Sequence, residues 1–381
     1  MTIVKNVSQR GLLAGIMLPL ILVFYSLADA QARVVDIPCG RDIDATINAD
    51  PKATPTRFEL GACNYTASET VKTEQGDEIA GPVGSLIRRG SAFDPQPVAT
   101  ITGSAQVTQV LKPQGTVRLE WLTVQGGNFT GNAGTGVGLA GGQMTPSSVV
   151  DAVVIKDNEG AGVSNFNGKF IRSELTNNTT DPKALGFIGA GLKAVSEVVV
   201  EQSYIHDTQG NGIWCDEECN DTSLGTFVVE DTLVVNCGRA GIRWEKVGGT
   251  AAGEALIQRN EIHGNSYGAS RGGISLRDAE NAKIQKNKFG AVTIAGVSYP
   301  RNAGGVAITA TDSGEANRPN LFNIDIGNNI LNGEAVKGCE LPNAVVACAG
   351  DTPWWRELCG YLDASIRALR ELTLSISWLG A

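Results

Sequence analysis

Between about residue 110 and residue 310, short β-branched runs alternate apolar and polar positions, and each run stops at a polar turn. Residues 150–163 (VDAVVIKDNEGAGV) align without a gap on residues 200–213 (VEQSYIHDTQGNGI), matching Val150 with Val200, Ile155 with Ile205, Gly162 with Gly212 and Val163 with Ile213. Residues 229–242 (VEDTLVVNCGRAGI) repeat the pattern with Val229, Val234, Gly241 and Ile242, and residues 257–274 repeat it with Ile257, Ile262, Gly273 and Ile274. Fragments recur at 284–289 and 304–308. Alternation at period two predicts strands rather than helices. No helical run lies between them, so a sheet built from β-α-β crossovers is excluded. Copies offset by roughly 22–32 residues mark a solenoid, with each copy one coil of short strands.

A solenoid must be closed at both ends, because each end exposes apolar side chains and unpaired strand edges. Residues 42–49 predict a short helix, with Asp42 as N-cap, Ile43 and Ile47 on one side and a stop at Pro51. Residues 353–372 place Trp355, Leu358, Leu362, Ile366 and Leu369 at helical spacing. That helix reads as a C-terminal cap or as a surface for a partner or a membrane. At the start, Lys5 and Arg10 precede the apolar run 11–28 and Ala28-Asp29-Ala30 supplies a cleavage signature, so residues 1–30 read as an export signal, with an uncleaved anchor as the alternative. The expected division is residues 1–30 signal, 31–110 N-terminal cap and first rungs, 111–335 repeats, and 336–381 C-terminal loop and capping helix.

Composition narrows the partners. Forty-seven glycines in 381 residues exceed the usual ~7 %, and Gly162, Gly212, Gly241 and Gly273 are expected at tight corners. A net charge of −9 argues against nucleic acid and against an anionic membrane beyond the signal segment. Eight cysteines in an exported chain suggest disulfides. The expected pairs are Cys39–Cys63 and Cys339–Cys348, with Cys215–Cys219 on a turn; a zinc reading of the last pair has the wrong spacing. The expected location is secreted, periplasmic or at the cell surface, and the expected state is a monomer.

The repeated units resemble those of right-handed parallel β-helix proteins, the pectate-lyase-like or pectin-lyase-like superfold. Asn158, Thr208 and Asn265 are similar to that fold's stacked turn ladders, residues 42–49 to its N-terminal cap, and residues 58–72 to a first rung. The resemblance covers roughly residues 33–335. It implies an all-β fold: a single-stranded right-handed parallel β-helix with an N-terminal capping helix and a C-terminal amphipathic helix. The superfold carries lyases, hydrolases, epimerases and non-catalytic surface proteins, so the activity stays open. The Asn-Thr-Asp, paired-Asp and Gly-His-Gly motifs of polygalacturonase-like members are missing. The Trp-x-Asp-His stretch of pectate-lyase-like members has its nearest counterpart in Trp214-Cys215-Asp216-Glu217, without the histidine. No catalytic residue is carried over.

Rungs of a parallel helix stack ~4.8 Å apart, so equivalent residues form columns. Anchoring each rung on Val163, Leu192, Ile213, Ile242, Ile274 and Val306 places two outward columns. The first reads Ser164, Lys193, Trp214, Arg243, Ser275, Ala307; the second reads Phe166, Val195, Asp216, Glu245, Arg277, Thr309. Asp216 and Glu245 are the candidate acid and base, and Arg243 and Arg277 the candidate clamps on a uronate carboxylate. Trp214, Lys193 and His206 are candidate substrate contacts. Asp216, Glu217 and Glu245 are candidate calcium ligands; otherwise no cofactor is expected. The competing reading is a ladder of surface ion pairs. His206 and His263 sit two rungs apart in another register, as exposed turn residues or, for His206-Asp207, as a base with its orienting acid. The resulting expectation is an exported protein that binds or degrades polysaccharide, as a lyase or hydrolase of acidic glycans. The alternative is a non-catalytic envelope or adhesion protein.

Overall fold

The computed structural model describes residues 32–51, 54–132, 134–186, 189–216, 226–245, 255–267, 272–303, 307–311, 322–327, 329–331 and 345–348. The expected export signal, the amphipathic stretch 353–372, Glu217, Cys219 and Cys339 lie outside these residues. Among the described residues no helix is long and apolar enough to cross a membrane.

Each rung is built from three strand segments, so the molecule presents three parallel rows. The first sheet stacks Thr56–Leu60, Glu78–Ala80, Arg118–Glu120 and Val149–Asp151, and continues to Phe227–Glu230, Ala255–Gln258 and Glu280–Gln285. The second sheet has ten strands, from Asn64–Ala67 through Glu174–Thr176, Tyr204–His206, Leu233–Val235 and Glu261–His263 to Ile330–Leu331. The third stacks Gln109–Leu111, Val137–Ala140, Asn211–Cys215, Ile242–Glu245, Ile274–Arg277 and Ile308–Thr311. Two long strands, Val163–Ile171 and Ala190–Glu201, run through both the third and the first rows. The third sheet ends on an antiparallel strand, Val345–Cys348, which breaks the parallel repeat at an edge that would otherwise invite another strand.

The alternation read from the sequence faces inward as expected. Val163, Leu192, Ile213, Ile242 and Ile274 stack in register and are fully buried. Two positions differ. Ile274 pairs with Ile308, not with Val306, so Thr309 stands beside Ser275 and Thr311 beside Arg277. Phe166 is in the core rather than outward. A register shift occurs after Val163 in its strand, and Asn165 there takes a φ of 53°, which flips the inward-outward parity from Phe166 onward.

Corners are made by left-handed residues that are mostly not glycine. Ala152, Arg172, Gln202, Asp231, Arg259 and Lys286 turn the chain from first to second sheet, and Asp157, Asn177, Asp207 and Asn236 turn it out of the second. The residue after each corner points inward and bonds its counterpart one rung away. Asn260, Asn287 and Asn329 form one such ladder, and Asn265 with Asn302 part of another. Thr208 Oγ1–H donates to the backbone carbonyl of Asn178, and Asn158 Nδ2 donates to the side-chain Oδ1 of Asn178. The glycines expected at corners serve this ladder instead. A Cβ on Gly212 would lie 2.5 Å from the carbonyl of Gly241, and one on Gly273 would lie 2.7 Å from Asn302 Nδ2. Their role is absence of volume, not left-handed backbone.

The N-terminal end is closed as expected. The helix Ile43–Asn48 is capped by Asp42, whose side chain accepts from Ala45 N–H, and it buries Ile43 and Ile47. Cys39 and Cys63 form a disulfide. Cys215 is also disulfide-bonded. Two antiparallel hairpins, residues 85–96 and 292–299, interrupt the repeat and have no counterpart in its pattern.

Candidate functional site

The outward row of the third sheet brings most of the expected residues together. Lys193 pairs with Trp214, Trp214 with Arg243, and Arg243 with Ser275, while Glu245 pairs with Arg277. Period-two alternation puts these side chains opposite the buried Ile213, Cys215, Trp244 and Leu276. Trp244 is inward as expected, stacked on Phe227 with ring centroids 5.2 Å apart.

Glu245 is the hub. Its Oε1 accepts from Arg243 Nη2 and from Arg277 Nη1 (3.1 Å), and its Oε2 accepts from Trp214 Nε1–H at 3.2 Å. Asp216 Oδ2 lies 3.3 Å from Lys193 Nζ. Each carboxylate therefore takes cations of its own, an arrangement of paired ions rather than of two acids sharing one proton. Trp214 links the two groups: the Lys193 ammonium is 5.1 Å and the Arg243 guanidinium 5.5 Å from its ring centroid. Such contacts stabilise cations held against an aromatic face. With cations against it, the indole acts as a fixed spacer and leaves less open face for a sugar ring.

The face is less exposed than alternation alone implies. Arg243 and Glu245 retain only 5 % and 3 % of their exposure, whereas the Arg277 side chain keeps 35 % and that of Asp216 18 %. Arg277 and Asp216 are thus the ionisable groups of this row nearest to solvent. Arg277 Nε also lies 3.6 Å from Oδ2 of the buried Asp278, so this guanidinium stands between two carboxylates.

For calcium, the residues described do not assemble a ligand set. No group of three His, Cys, Asp or Glu side chains that could hold a metal occurs among them. Asp216 and Glu245 face Lys193 and two arginines, and Glu217 lies outside the described residues.

The histidines sit elsewhere and are not exposed. His206 belongs to the second sheet, in register with Val235 and, one rung further, His263. It therefore does not join Trp214 and Lys193. Its Nε2 is 2.7 Å from Glu174 Oε1 and its Nδ1 2.6 Å from Asp207 Oδ2. Burial pushes the imidazole down, but the bonds to Asp207 and Glu174 outweigh it and hold the group above its ordinary value. His263 is buried, donates Nδ1–H to the carbonyl of Gly290 at 2.7 Å, and is pushed down by burial. Glu174 escaped sequence reading because its link to His206 depends on inter-rung register: Glu174 pairs with Tyr204, and Thr176 with His206.

Residues 188–341 match a family model described as "Right handed beta helix region". Three-row stacking and this match describe the fold as a right-handed parallel β-helix. No curated protein sequence matches the chain. Among solved structures it is similar to the A-module of an Azotobacter vinelandii mannuronan C-5 epimerase (14 % identity, TM-score 0.42, covering 76 % of this chain and 92 % of that one). It is similar to a pectate lyase (13 % identity, TM-score 0.45, covering 79 % and 80 %). It is similar to the Dettilon tailspike protein (15 % identity, TM-score 0.47, covering 78 % and 62 %).

Proposed function

We propose that this chain is an exported β-helix protein whose third-sheet face binds an acidic polysaccharide. The observation that carries the reading is the row Lys193, Trp214, Arg243 and Arg277, which sets three cations beside an indole on one face, with the Arg277 guanidinium partly exposed. A uronate carboxylate entering this face meets Arg277 first, since its guanidinium is the most exposed cation of the row. Arg277 then exchanges part of its pairing with Glu245 for a bidentate contact to the ligand. Glu245 stays behind as the anchor that orients Arg243 and Arg277. A disulfide at Cys39–Cys63 supports an oxidising, extracytoplasmic compartment.

Turnover is the finer reading. In an elimination, a base removes the proton α to the uronate carboxylate, the C4–O bond breaks and the leaving oxygen takes up a proton, leaving a 4,5-unsaturated uronate and a new chain end. On this reading Asp216, with Lys193 beside it, transfers the proton and Arg277 holds the carboxylate. The burial of Glu245 beneath two arginines favours the second reading, in which the same face binds a glycan without turnover, as an envelope or adhesion protein.

Incubating the mature chain with uronic and neutral polysaccharides, with and without calcium, separates these readings. Unsaturated-uronate absorbance or new reducing ends, lost in Asp216→Asn, establish an enzyme. Retention on uronic columns without products establishes binding alone. Equal retention on neutral and uronic columns, or none on either, overturns the proposal.

A further inference from the structure

The two hairpins lie against the outer side of the second sheet. Phe93 N–H donates to the carbonyl of Gln202 at 2.9 Å, and a Cβ on Gly90 would lie 2.1 Å from Glu261 Oε2. Ala92 from one hairpin and Ile294 and Tyr299 from the other pack on Tyr204, Leu233 and Val235, in an apolar cluster separate from the solenoid core. Tyr204 and Tyr299 meet hydroxyl to hydroxyl at 2.7 Å.

One edge of this cluster is ionic. The His206 ring stacks on Tyr204 at 3.9 Å between centroids, 16° from parallel. Both ring nitrogens face carboxylate oxygens, and only an imidazolium can donate to both. The charged groups against it, among the described residues, are Glu174 from the neighbouring strand and Asp207 from its own turn. The neutral neighbours are Thr176 Oγ1, 3.3 Å from Nδ1, and Asn236, whose Nδ2 bonds Asp207.

We propose that His206, held between Glu174 and Asp207, is a pH-sensitive clasp that fastens hairpin 292–299 to the second sheet through the Tyr204–Tyr299 contact. Loss of the proton turns one ring nitrogen into a lone pair facing a carboxylate oxygen less than 3 Å away. The neutral ring is driven out of that position, Tyr204 loses its stacking partner, and the hairpin loosens from the apolar cluster. The sign comes from linkage. The His206 value is raised by its carboxylates, so its stabilisation is complete below the unfolded value of about 6.5 and is lost as pH rises through the raised one. Asp207 is held low chiefly by its bond to His206, so its share is present above about 3.9 and is lost as pH falls through its lowered value. The clasp is closed between those limits and opens on the alkaline side.

Amide hydrogen exchange of residues 292–299, corrected for intrinsic rates, tests this in the full chain between pH 5 and pH 9. Protection is expected to fall by about tenfold for each unit by which the His206 value is raised. His206→Gln should give low protection at every pH, and His206→Arg, permanently charged and able to stack, high protection at every pH. Wild-type protection that is flat with pH overturns the proposal, as does a His206→Gln chain that keeps the wild-type profile. If His206→Gln does not fold, the wild-type and His206→Arg profiles decide: identical pH dependence in the two overturns it.

Discussion

Replacing Asn287 isolates the contribution of the inner ladder to the fold. Its Oδ1 accepts from Asn260 N–H at 3.0 Å and from Asn260 Nδ2 at 2.9 Å. Its Nδ2 donates to the carbonyl of Ile257 at 2.9 Å and to Asn329 Oδ1 at 3.0 Å. In Asn287→Ala all four bonds go. Asn260 Nδ2 keeps the carbonyl of Val229, Asn329 Oδ1 keeps Asn287 N–H, and Ile257 stays in the parallel ladder with Glu280–Gln285, so the group left stranded is Asn260 N–H. At about 1–3 kcal/mol for a buried unsatisfied group, the loss is about 1–3 kcal/mol. Asn287→Ser should lose less than half of that. Ser203 shows why, one ladder position being built like the next: its hydroxyl accepts from Ser173 N–H at 3.2 Å and reaches the carbonyls of Glu201 and Phe170 at 2.9 and 3.3 Å. A serine at 287 can therefore accept from Asn260 N–H and donate toward Ile257. Urea titration gives the stability ranking, and exchange of the Asn260 amide reports the local opening even where the solenoid does not unfold as one unit. Equal losses for Ala and Ser, or losses below about 0.5 kcal/mol for both, would refute the ladder as a source of hydrogen-bond stability.

Two further substitutions separate space from charge. Gly212→Ala puts a methyl group 2.5 Å from the Gly241 carbonyl and 2.8 Å from Val234 Cγ1; overpacking of that kind should lower stability by about 1–3 kcal/mol or more, seen as a lower melting temperature by circular dichroism. Glu245→Ala removes the carboxylate bonded to the nearly buried Arg243, which should destabilise by about 3–5 kcal/mol, whereas Arg277→Ala removes a cation that is one-third exposed and should cost less; an equal or larger loss in Arg277→Ala would contradict the burial difference between the arginines.

Local periodicity made the solenoid legible, and inter-rung register decided what was not. Alternation at period two and the recurring Gly-Ile step placed Ile213, Ile242 and Ile274 in one column, and from there Lys193, Trp214 and Arg243 in the next. It misplaced the last rung by two residues, because Ile274 pairs with Ile308 and not with Val306. It misread Phe166, because a bulge at Asn165 leaves no signature in an apolar-polar count. The glycines were recognised as recurring, but the reason is a neighbouring asparagine amide or carbonyl one rung away, which no single repeat contains. Glu174 and Tyr299 meet His206 and Tyr204 across separations of 32 and 95 residues, and hairpin 292–299 folds back on a sheet whose outer face the sequence presents as ordinary surface. Burial of Glu245 was likewise hidden: a glutamate at an outward position is exposed by default, and here two arginines and an indole N–H close over it.

The assignment of the third-sheet face to an acidic glycan is tested most directly by hydrogen-exchange footprinting of the full chain with saturating polyuronate oligomers. The expected footprint is added protection in Asn211–Cys215, Ile242–Glu245 and Ile274–Arg277, weakened in Arg277→Ala by about tenfold in oligomer affinity, the equivalent of one charge-assisted contact. Protection confined to the first or second sheet, or an Arg277→Ala chain that binds as tightly as wild type, would contradict it.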